Sequence, residues 1–171
     1  MVWRNVNTII EDKLLLGNLV AARAPRTISE RRITHIVSVC TDPIPADIPA
    51  GGIEQLRIPV EDIDYADLLI HFPAVCRFIH QAIAEGGTVL VHCNQGLSRS
   101  AAVVAAYLMA TKQMSATDAM DVVRRAREQV WINPGFQEQL AIWGMCQYNI
   151  TPDNGIYRNW RMKIERALSS A

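Results

Sequence analysis

The sequence predicts an α/β fold: one domain with a central, mostly parallel sheet of about five strands flanked by helices. Short runs rich in β-branched and apolar residues, such as 33–39 and 88–92, alternate with longer segments of helical periodicity. The chain has 171 residues, a length that suits a single domain. After residue 98 nearly every segment has helical character, so we expect the strands to lie in the first part of the chain.

Turn and cap signals delimit the elements of the first part. Glu11 and Asp12 interrupt an apolar stretch, which indicates the turn of a hairpin, and Thr27 with Glu30 has the spacing of a helix capping box. A glycine pair ends the next long helix, in which Pro73 falls in the second turn. The predicted elements are a hairpin at 9–18, a helix at 26–32, strands at 33–39 and 54–60 around a loop at 41–52, an acidic loop at 61–67, a helix at 68–87 and a strand at 88–92.

The second part is predicted to consist of four helices. Ser115 and Asn133 are suited to N-cap positions, and Pro134 is favourable at the first helical position. The helices are expected at 98–112, 115–127, 133–148 and 154–168. We therefore expect a domain over residues 1–150 followed by a helical extension over 151–171. The arginines at 124, 125 and 127 are interpreted as part of a solvated helix surface, with docking of RNA or phosphoprotein as a minority alternative.

Composition limits the classes of function. Lys plus Arg and Asp plus Glu number 17 each, and a zero formal charge argues against broad binding to nucleic acid or membrane. The longest apolar run, 101–110, is too short to span a bilayer. The cysteines have no zinc-binding spacing, so no metal site is expected, and the N-terminus does not resemble a signal peptide. We expect a cytoplasmic or nuclear protein with reduced thiols.

The stretch TVLVHCNQGLSRS, residues 88–100, carries the chemistry. A strand, a glycine-containing loop and a helix in succession can bind phosphate through loop N–H groups and the helix N-terminus. Gly96 would let the backbone approach a ligand, and Arg99 can hold two phosphate oxygens. The same groups would stabilise a Cys93 thiolate, which could then attack the bound phosphorus.

The leaving group of such a reaction needs a proton. The acidic loop offers four carboxyl groups, and their spacing does not choose among them: Glu61, Asp62, Asp64 and Asp67. Ser100 could hydrogen-bond the sulfur as it leaves, and His92 could support the loop through its ring nitrogens.

These residues resemble a known family. HCNQGLSRS matches HCxxGxxR[ST], the loop of the cysteine-dependent protein tyrosine phosphatases, at every fixed position. LLLGN, THIVSV, RIPVED and INPGFQEQL resemble, in order, landmarks of the dual-specificity phosphatases. The resemblance implies hydrolysis of phosphotyrosine and of phosphoserine or phosphothreonine in phosphoproteins, without a cofactor or metal. It also identifies residues 92–99 as the phosphate-binding loop: His92, Cys93, Asn94, Gln95, Gly96, Leu97, Ser98 and Arg99.

The resemblance also selects further site residues. Aligned on Leu68 and Phe72, the family's general acid falls on Asp62, with Asp64 in reserve. Asn133 would brace the phosphate loop as well as cap its helix. Cys40 ends a strand near that loop, and in some members of the superfamily a second cysteine there protects the catalytic thiolate as a disulfide.

The segment 147–165 resembles the one that follows the catalytic domain in Yvh-type phosphatases. In that subfamily a cysteine-rich zinc module follows, linked to ribosome maturation, and this sequence ends before such a module. Two alternatives stay open. One is a partner-binding ribosome-assembly factor with dispensable catalysis; the other is an RNA 5′-triphosphatase, which the lack of a basic stripe disfavours.

Overall fold

The structure is a computed structural model that describes residues 4–43 and 52–171. Five strands form one sheet in the order β1-β2-β5-β3-β4, and all neighbours are parallel except β1 and β2. The strands are β1 (Val6–Ile10), β2 (Leu14–Gly17), β3 (His35–Ser38), β4 (Glu54–Arg57) and β5 (Val89–His92). The predicted α/β fold with a mostly parallel, five-stranded sheet is confirmed.

Helices cover the sheet and fill most of the second part of the chain. Ser115, Asn133 and Asn154 each accept a backbone hydrogen bond as N-caps, as the first two were predicted to do. The helices are α1 (Leu19–Arg23), α2 (Pro25–Glu30), α3 (Phe72–Ala84), α4 (Arg99–Lys112), α5 (Ala116–Ala126), α6 (Pro134–Met145) and α7 (Gly155–Ser169). None of the helices in the described ranges is long and apolar enough to cross a membrane.

Several predicted boundaries were wrong. The helix predicted over 68–87 divides into a 3-10 turn, Leu69–His71, and α3, so that Pro73 lies in the first turn of α3. There its missing N–H costs nothing, because the first turn has no intrahelical acceptor for it. The capping box of Thr27 and Glu30 does not form, since α2 already begins at Pro25.

Other elements were shifted or missed. The hairpin pairs Val6–Ile10 with Leu14–Gly17, so it begins before the predicted residue 9, although its turn does contain Glu11 and Asp12. Helix α1 was not predicted. Most of the loop predicted over 41–52 lies outside the described residues.

The central strand β5 is buried on both faces. Val89 and Val91 belong to the larger apolar core, which includes Phe72, Trp143 and most of α4. Leu90 points to the other face, where it belongs to a smaller cluster with residues of α2 and β3. Because both faces are packed, β5 is a rigid support for the loop that follows it.

Candidate active site

The phosphate loop runs from the carboxyl end of β5 into the N-terminus of α4, as predicted. Gly96 adopts a φ of 71°, a left-handed conformation that favours glycine. A Cβ at this position would lie 2.5 Å from the carbonyl oxygen of Gly17, so the loop also needs glycine for its close approach to the end of β2. The loop is therefore packed against the sheet itself.

Four successive carbonyl groups of the loop are held from outside. Asn94 O accepts from Leu19 N, and Leu97 O accepts from Trp131 N, each at 3.0 Å. Gln95 O and Gly96 O both accept from Arg127, at 2.9 Å. In a trans peptide the next N–H points opposite to the carbonyl, so the N–H groups of residues 95–98 are turned inward. Inward-facing N–H groups form an anion-binding concavity.

Cys93 and Ser100 lie together, at the two ends of the phosphate loop. The Cys93 Sγ and Ser100 Oγ atoms are 3.0 Å apart, and either atom could donate the hydrogen bond. Both residues are buried. A hydroxyl at this distance can stabilise negative charge on the sulfur, as the sequence suggested.

The Arg99 side chain is oriented by the strand-to-loop segment that precedes the acidic loop. Its Nη1 atom donates to Val60 O at 3.0 Å. Its Nε atom is buried and has no hydrogen-bond partner within the described residues. A buried guanidinium N–H without a partner is costly unless an anion fills the site.

Asn133 connects the phosphate loop with the acidic loop. Its backbone N donates to Ser98 Oγ at 3.1 Å, and its side-chain Nδ2 donates to Asp62 Oδ1 at 2.8 Å. Its Oδ1 atom accepts from Phe136 N and so caps α6. The structure thus brings Asn133 to both loops and fixes Asp62 beside the phosphate loop.

The other carboxyl groups of the acidic loop are placed differently. Asp67 accepts from the Tyr157 hydroxyl and from Ile70 N, so it joins α7 to the 3-10 turn. The backbone of Asp64 lies directly against Gly135, where a Cβ would overlap it. Asp62 alone is hydrogen-bonded to Asn133 among these four carboxyl groups in the described structure.

His92 supports the loop from within the core. Its Nε2 atom lies 2.7 Å from Ser38 Oγ and its Nδ1 atom lies 3.2 Å from Cys93 O. Burial lowers the pKa of His92 from its ordinary 6.5 to about 4, which keeps the ring neutral at pH 7. A neutral ring satisfies both contacts when Nδ1 donates to Cys93 O and Nε2 accepts from Ser38.

The interpretation of Arg127 as a helix-surface residue was wrong. Its side chain is only 1% exposed and, besides the loop carbonyls, it donates to Arg4 O and Asn7 Oδ1. The sequence contained a signal for this position. Arg127 is the C-cap of α5 and follows the buried Val123 by four residues, so it continues the buried side of that helix, yet its charge suggested solvent.

Cys40 lies two residues beyond the end of β3, next to the origin of the phosphate loop. Ser38 is paired with His92, and Val39 N donates to His92 O at 2.9 Å. Cys40 is fully buried, and burial raises the pKa of its thiol. Both Cys40 and Cys93 are free thiols in this structure.

The site contains no cluster suited to a cation. No group of three or more His, Cys, Asp or Glu side chains within residues 4–43 and 52–171 could hold a metal ion. The arrangement of an inward-facing N–H concavity, a buried cysteine and a guanidinium is suited to an oxyanion instead.

Comparison with known proteins places these features in a family. Residues 14–146 match the family model described as the dual specificity phosphatase catalytic domain. The mouse dual specificity protein phosphatase 12 is 35% identical over 151 residues, which are 88% of this chain and 44% of that protein. The mouse dual specificity protein phosphatase 19 is 36% identical over 79% of this chain and 60% of its own length. The chain therefore spans about half the length of these relatives.

Solved structures of the family have the same fold. Human DUSP28 superposes with a TM-score of 0.78 at 34% identity, covering 86% of this chain and 98% of its own. The Yvh1 phosphatase domain from Chaetomium thermophilum superposes with a TM-score of 0.76 at 33% identity. The match covers 85% of this chain and 99% of that domain. The chain accordingly belongs to the dual-specificity phosphatase family.

Proposed function

We propose that the chain is a protein phosphatase that hydrolyses phosphotyrosine and phosphoserine or phosphothreonine through a phospho-cysteine intermediate at Cys93. The observation that supports this most is the loop itself. Four carbonyl groups are held outward, so that loop N–H groups turn inward after Cys93, and the Arg99 Nε atom is buried without a hydrogen-bond partner in the part of the chain that the structure describes. Such a site holds the equatorial oxygens of a phosphoryl group while sulfur attacks.

The reaction divides into two displacements. In the first, the Cys93 thiolate attacks phosphorus, the P–O bond to the substrate breaks, and Asp62 protonates the leaving oxygen. In the second, Asp62 accepts a proton from water, whose oxygen attacks phosphorus while the P–S bond breaks. Ser100, at 3.0 Å from the sulfur, donates a hydrogen bond to the departing thiolate and thereby stabilises it.

Variants at the site test this assignment with a small aryl phosphate in chelator-containing buffer. Cys93→Ser should abolish turnover, and Asp62→Ala should lower kcat by about 100-fold. Asp64→Ala is the matched control, because Asp64 lies on the same loop without a hydrogen bond to Asn133. Activity that persists in Cys93→Ser, or an equal loss in Asp64→Ala, would contradict the mechanism.

The rate should also fall on both sides of a pH optimum. The mechanism requires Cys93 without its proton, as the nucleophile, and Asp62 with its proton, as the general acid, at the same time. The basic limb should disappear in Asp62→Ala while the acid limb stays. If the rate of the wild-type protein did not fall at high pH, the assignment of Asp62 as general acid would be contradicted.

A finer placement within the family is also proposed. The tail at 147–165 and the 33% identity to the Yvh1 phosphatase domain support a Yvh-type relative, with a ribosomal partner and dispensable catalysis as the second candidate function. The structure of a human tyrosine phosphatase-like serine/threonine/tyrosine-interacting protein, 29% identical with a TM-score of 0.79, supports the binding role. Complementation by Cys93→Ser in cells lacking the gene separates the two roles, because only the binding role survives that substitution.

A further inference from the structure

An exposed tryptophan stands at the edge of the phosphate loop. Trp131 is 61% exposed, whereas its neighbours Val130 and Ile132 are buried. Its backbone N donates to Leu97 O at 3.0 Å, which fixes the segment against the loop. The two buried neighbours therefore hold the indole outward into solvent, on a segment that borders the phosphate loop.

The segment that carries this tryptophan also borders the acidic loop. Two residues later Asn133 binds Asp62, and Gly135 packs on the backbone of Asp64. The next residue on the acidic loop, Tyr65, is 46% exposed. Tyr65 and Trp131, together with the half-buried Leu97 of the phosphate loop, are called the apolar rim.

Charge around the apolar rim disfavours acidic ligands. The side chains of the phosphate loop between Cys93 and Arg99 are all neutral. Glu61, Asp62 and Asp64 are exposed on the acidic loop. An acidic residue next to a bound phosphate would be repelled by these carboxylates, while an apolar residue could remove the indole from water.

We propose that Trp131 is a specificity-determining residue that packs against an apolar side chain directly flanking the phosphorylated residue of a phosphoprotein substrate. Such a contact would lie close to the phosphate loop, because a backbone hydrogen bond joins Trp131 to Leu97 on the outer side of that loop. Tryptophan contributes more contact area than other side chains and is enriched where binding energy concentrates. The inference rests on the proposed function, since it assumes a phosphopeptide in the loop.

Binding to the Cys93→Ser protein tests the inference without turnover. Two phosphotyrosine peptides differ only in the residues on each side of the phosphotyrosine, leucine in one and aspartate in the other. We expect the leucine peptide to bind about tenfold more tightly by titration calorimetry, and Trp131→Ala to lower the affinity of the leucine peptide while leaving that of the aspartate peptide unchanged. Trp131→Phe should restore most of the lost affinity. Met145→Ala is the matched control, because Met145 is 64% exposed and lies at the far end of α6.

Inhibition by orthovanadate is measured with a Trp131→Ala protein that retains Cys93. It shows whether the substitution removes a contact with the peptide or disturbs the phosphate loop. Vanadate occupies the phosphate loop alone, so its inhibition constant should stay within twofold of the wild-type value. Equal affinity of the two peptides, or a parallel loss of vanadate inhibition in Trp131→Ala, would overturn the inference. Failure of the proposed function would look different: wild-type protein would not hydrolyse the aryl phosphate, whatever the two peptides show in the binding experiment.

Discussion

The Asn133 side chain donates a hydrogen bond of 2.8 Å to Asp62 while its other end caps α6. One amide group thus links the carboxyl group proposed as general acid to a helix terminus and, through the Asn133 backbone, to Ser98 of the phosphate loop. Asn133 thereby holds Asp62 at a set position relative to the phosphate loop. We predict that Asn133 is a positioning residue.

Replacing Asn133 with serine should reduce kcat in a way that depends on the leaving group. Serine keeps the N-cap but is too short to reach Asp62, so the carboxyl group loses its orientation. We expect about a tenfold loss of kcat with an alkyl phosphate, whose leaving group needs a proton, and little loss with an acidic phenol. Thermal unfolding provides the control, since a preserved cap should leave the Tm nearly unchanged. Equal losses with both substrates would contradict the positioning role.

Burial of neutral His92 should make stability depend on pH. The pKa of His92 falls from 6.5 to about 4 on folding, so the unfolded chain binds the proton more tightly. This contribution is complete above pH 6.5 and is lost as the pH falls towards 4, by about 3 kcal/mol in the unfolding free energy.

Urea denaturation across this range measures the change, with His92→Asn as the reference that lacks the group. The difference between the unfolding free energies of the wild-type and His92→Asn proteins, followed across pH, gives the contribution of His92 without that of the carboxyl groups. Proton NMR provides a second measurement, because the ring resonances of His92 should not titrate above pH 5. A titration of this ring near 6.5 would contradict the assignment.

Arg127→Met should weaken both the fold and the phosphate loop. The substitution removes the donor from the carbonyl group of Gly96, which is buried, and from those of Gln95 and Arg4, which we expect to cost about 3 kcal/mol of unfolding free energy. The vanadate inhibition constant should rise in parallel, because the loop carbonyls are no longer held outward.

Arg124→Ala is the matched control for this experiment. Arg124 lies in the last turn of α5, three residues before Arg127, is partly exposed, and forms a 3.5 Å ion pair with Asp121. Its loss should change stability by less than about 0.5 kcal/mol. Similar losses of stability from the two substitutions would show that positive charge near the end of α5, rather than the hydrogen bonds of Arg127, stabilises the fold.

We propose that peroxide forms a disulfide between Cys40 and Cys93. Peroxide converts the Cys93 thiolate to a sulfenic acid, and the Cys40 thiolate then displaces hydroxide to close the S–S bond. Because burial raises the pKa of Cys40, its thiolate is scarce at neutral pH, and the disulfide should form faster at pH 9 than at pH 7.

Non-reducing peptide mapping after peroxide treatment detects this bond. Cys40→Ser should abolish the linked peptide and lead to sulfinic acid at Cys93, whereas Cys146→Ser should leave it unchanged. Sulfinic or sulfonic acid at Cys93 together with free Cys40 in the wild-type protein would contradict the pairing.

Sequence was most informative where the determinant is local. Cys93, Gly96 and Arg99 lie within seven residues, and their backbone between a strand and a helix fixes their relative positions. Asp62 could not be chosen by spacing among four acids, because its hydrogen bond comes from Asn133, 71 residues away. The resemblance selected Asp62 where the local pattern could not, and its role as general acid stays a prediction.

Residues that act across long distances in the chain were missed for the same reason. Gln139 accepts from Leu68 N and Leu69 N and donates to Ala66 O, and so holds the acidic loop and the 3-10 turn from α6. Nothing about a glutamine within a helix predicts a buried contact of this kind. Arg127 was misread because a general preference of arginine for solvent outweighed its place on the apolar face.

The strand order has a consequence for how the chain reaches its native state. Strands β2 and β3 are not paired with each other, and β5 lies between them. As the polypeptide emerges during synthesis, the hairpin and the β3–β4 pair can form separately, but they cannot join before residues 89–92 arrive. Loop closures of this length slow folding. Until that insertion occurs, the sheet edges of β2 and β3 stay open, and this interval is when the nascent chain is most prone to aggregate.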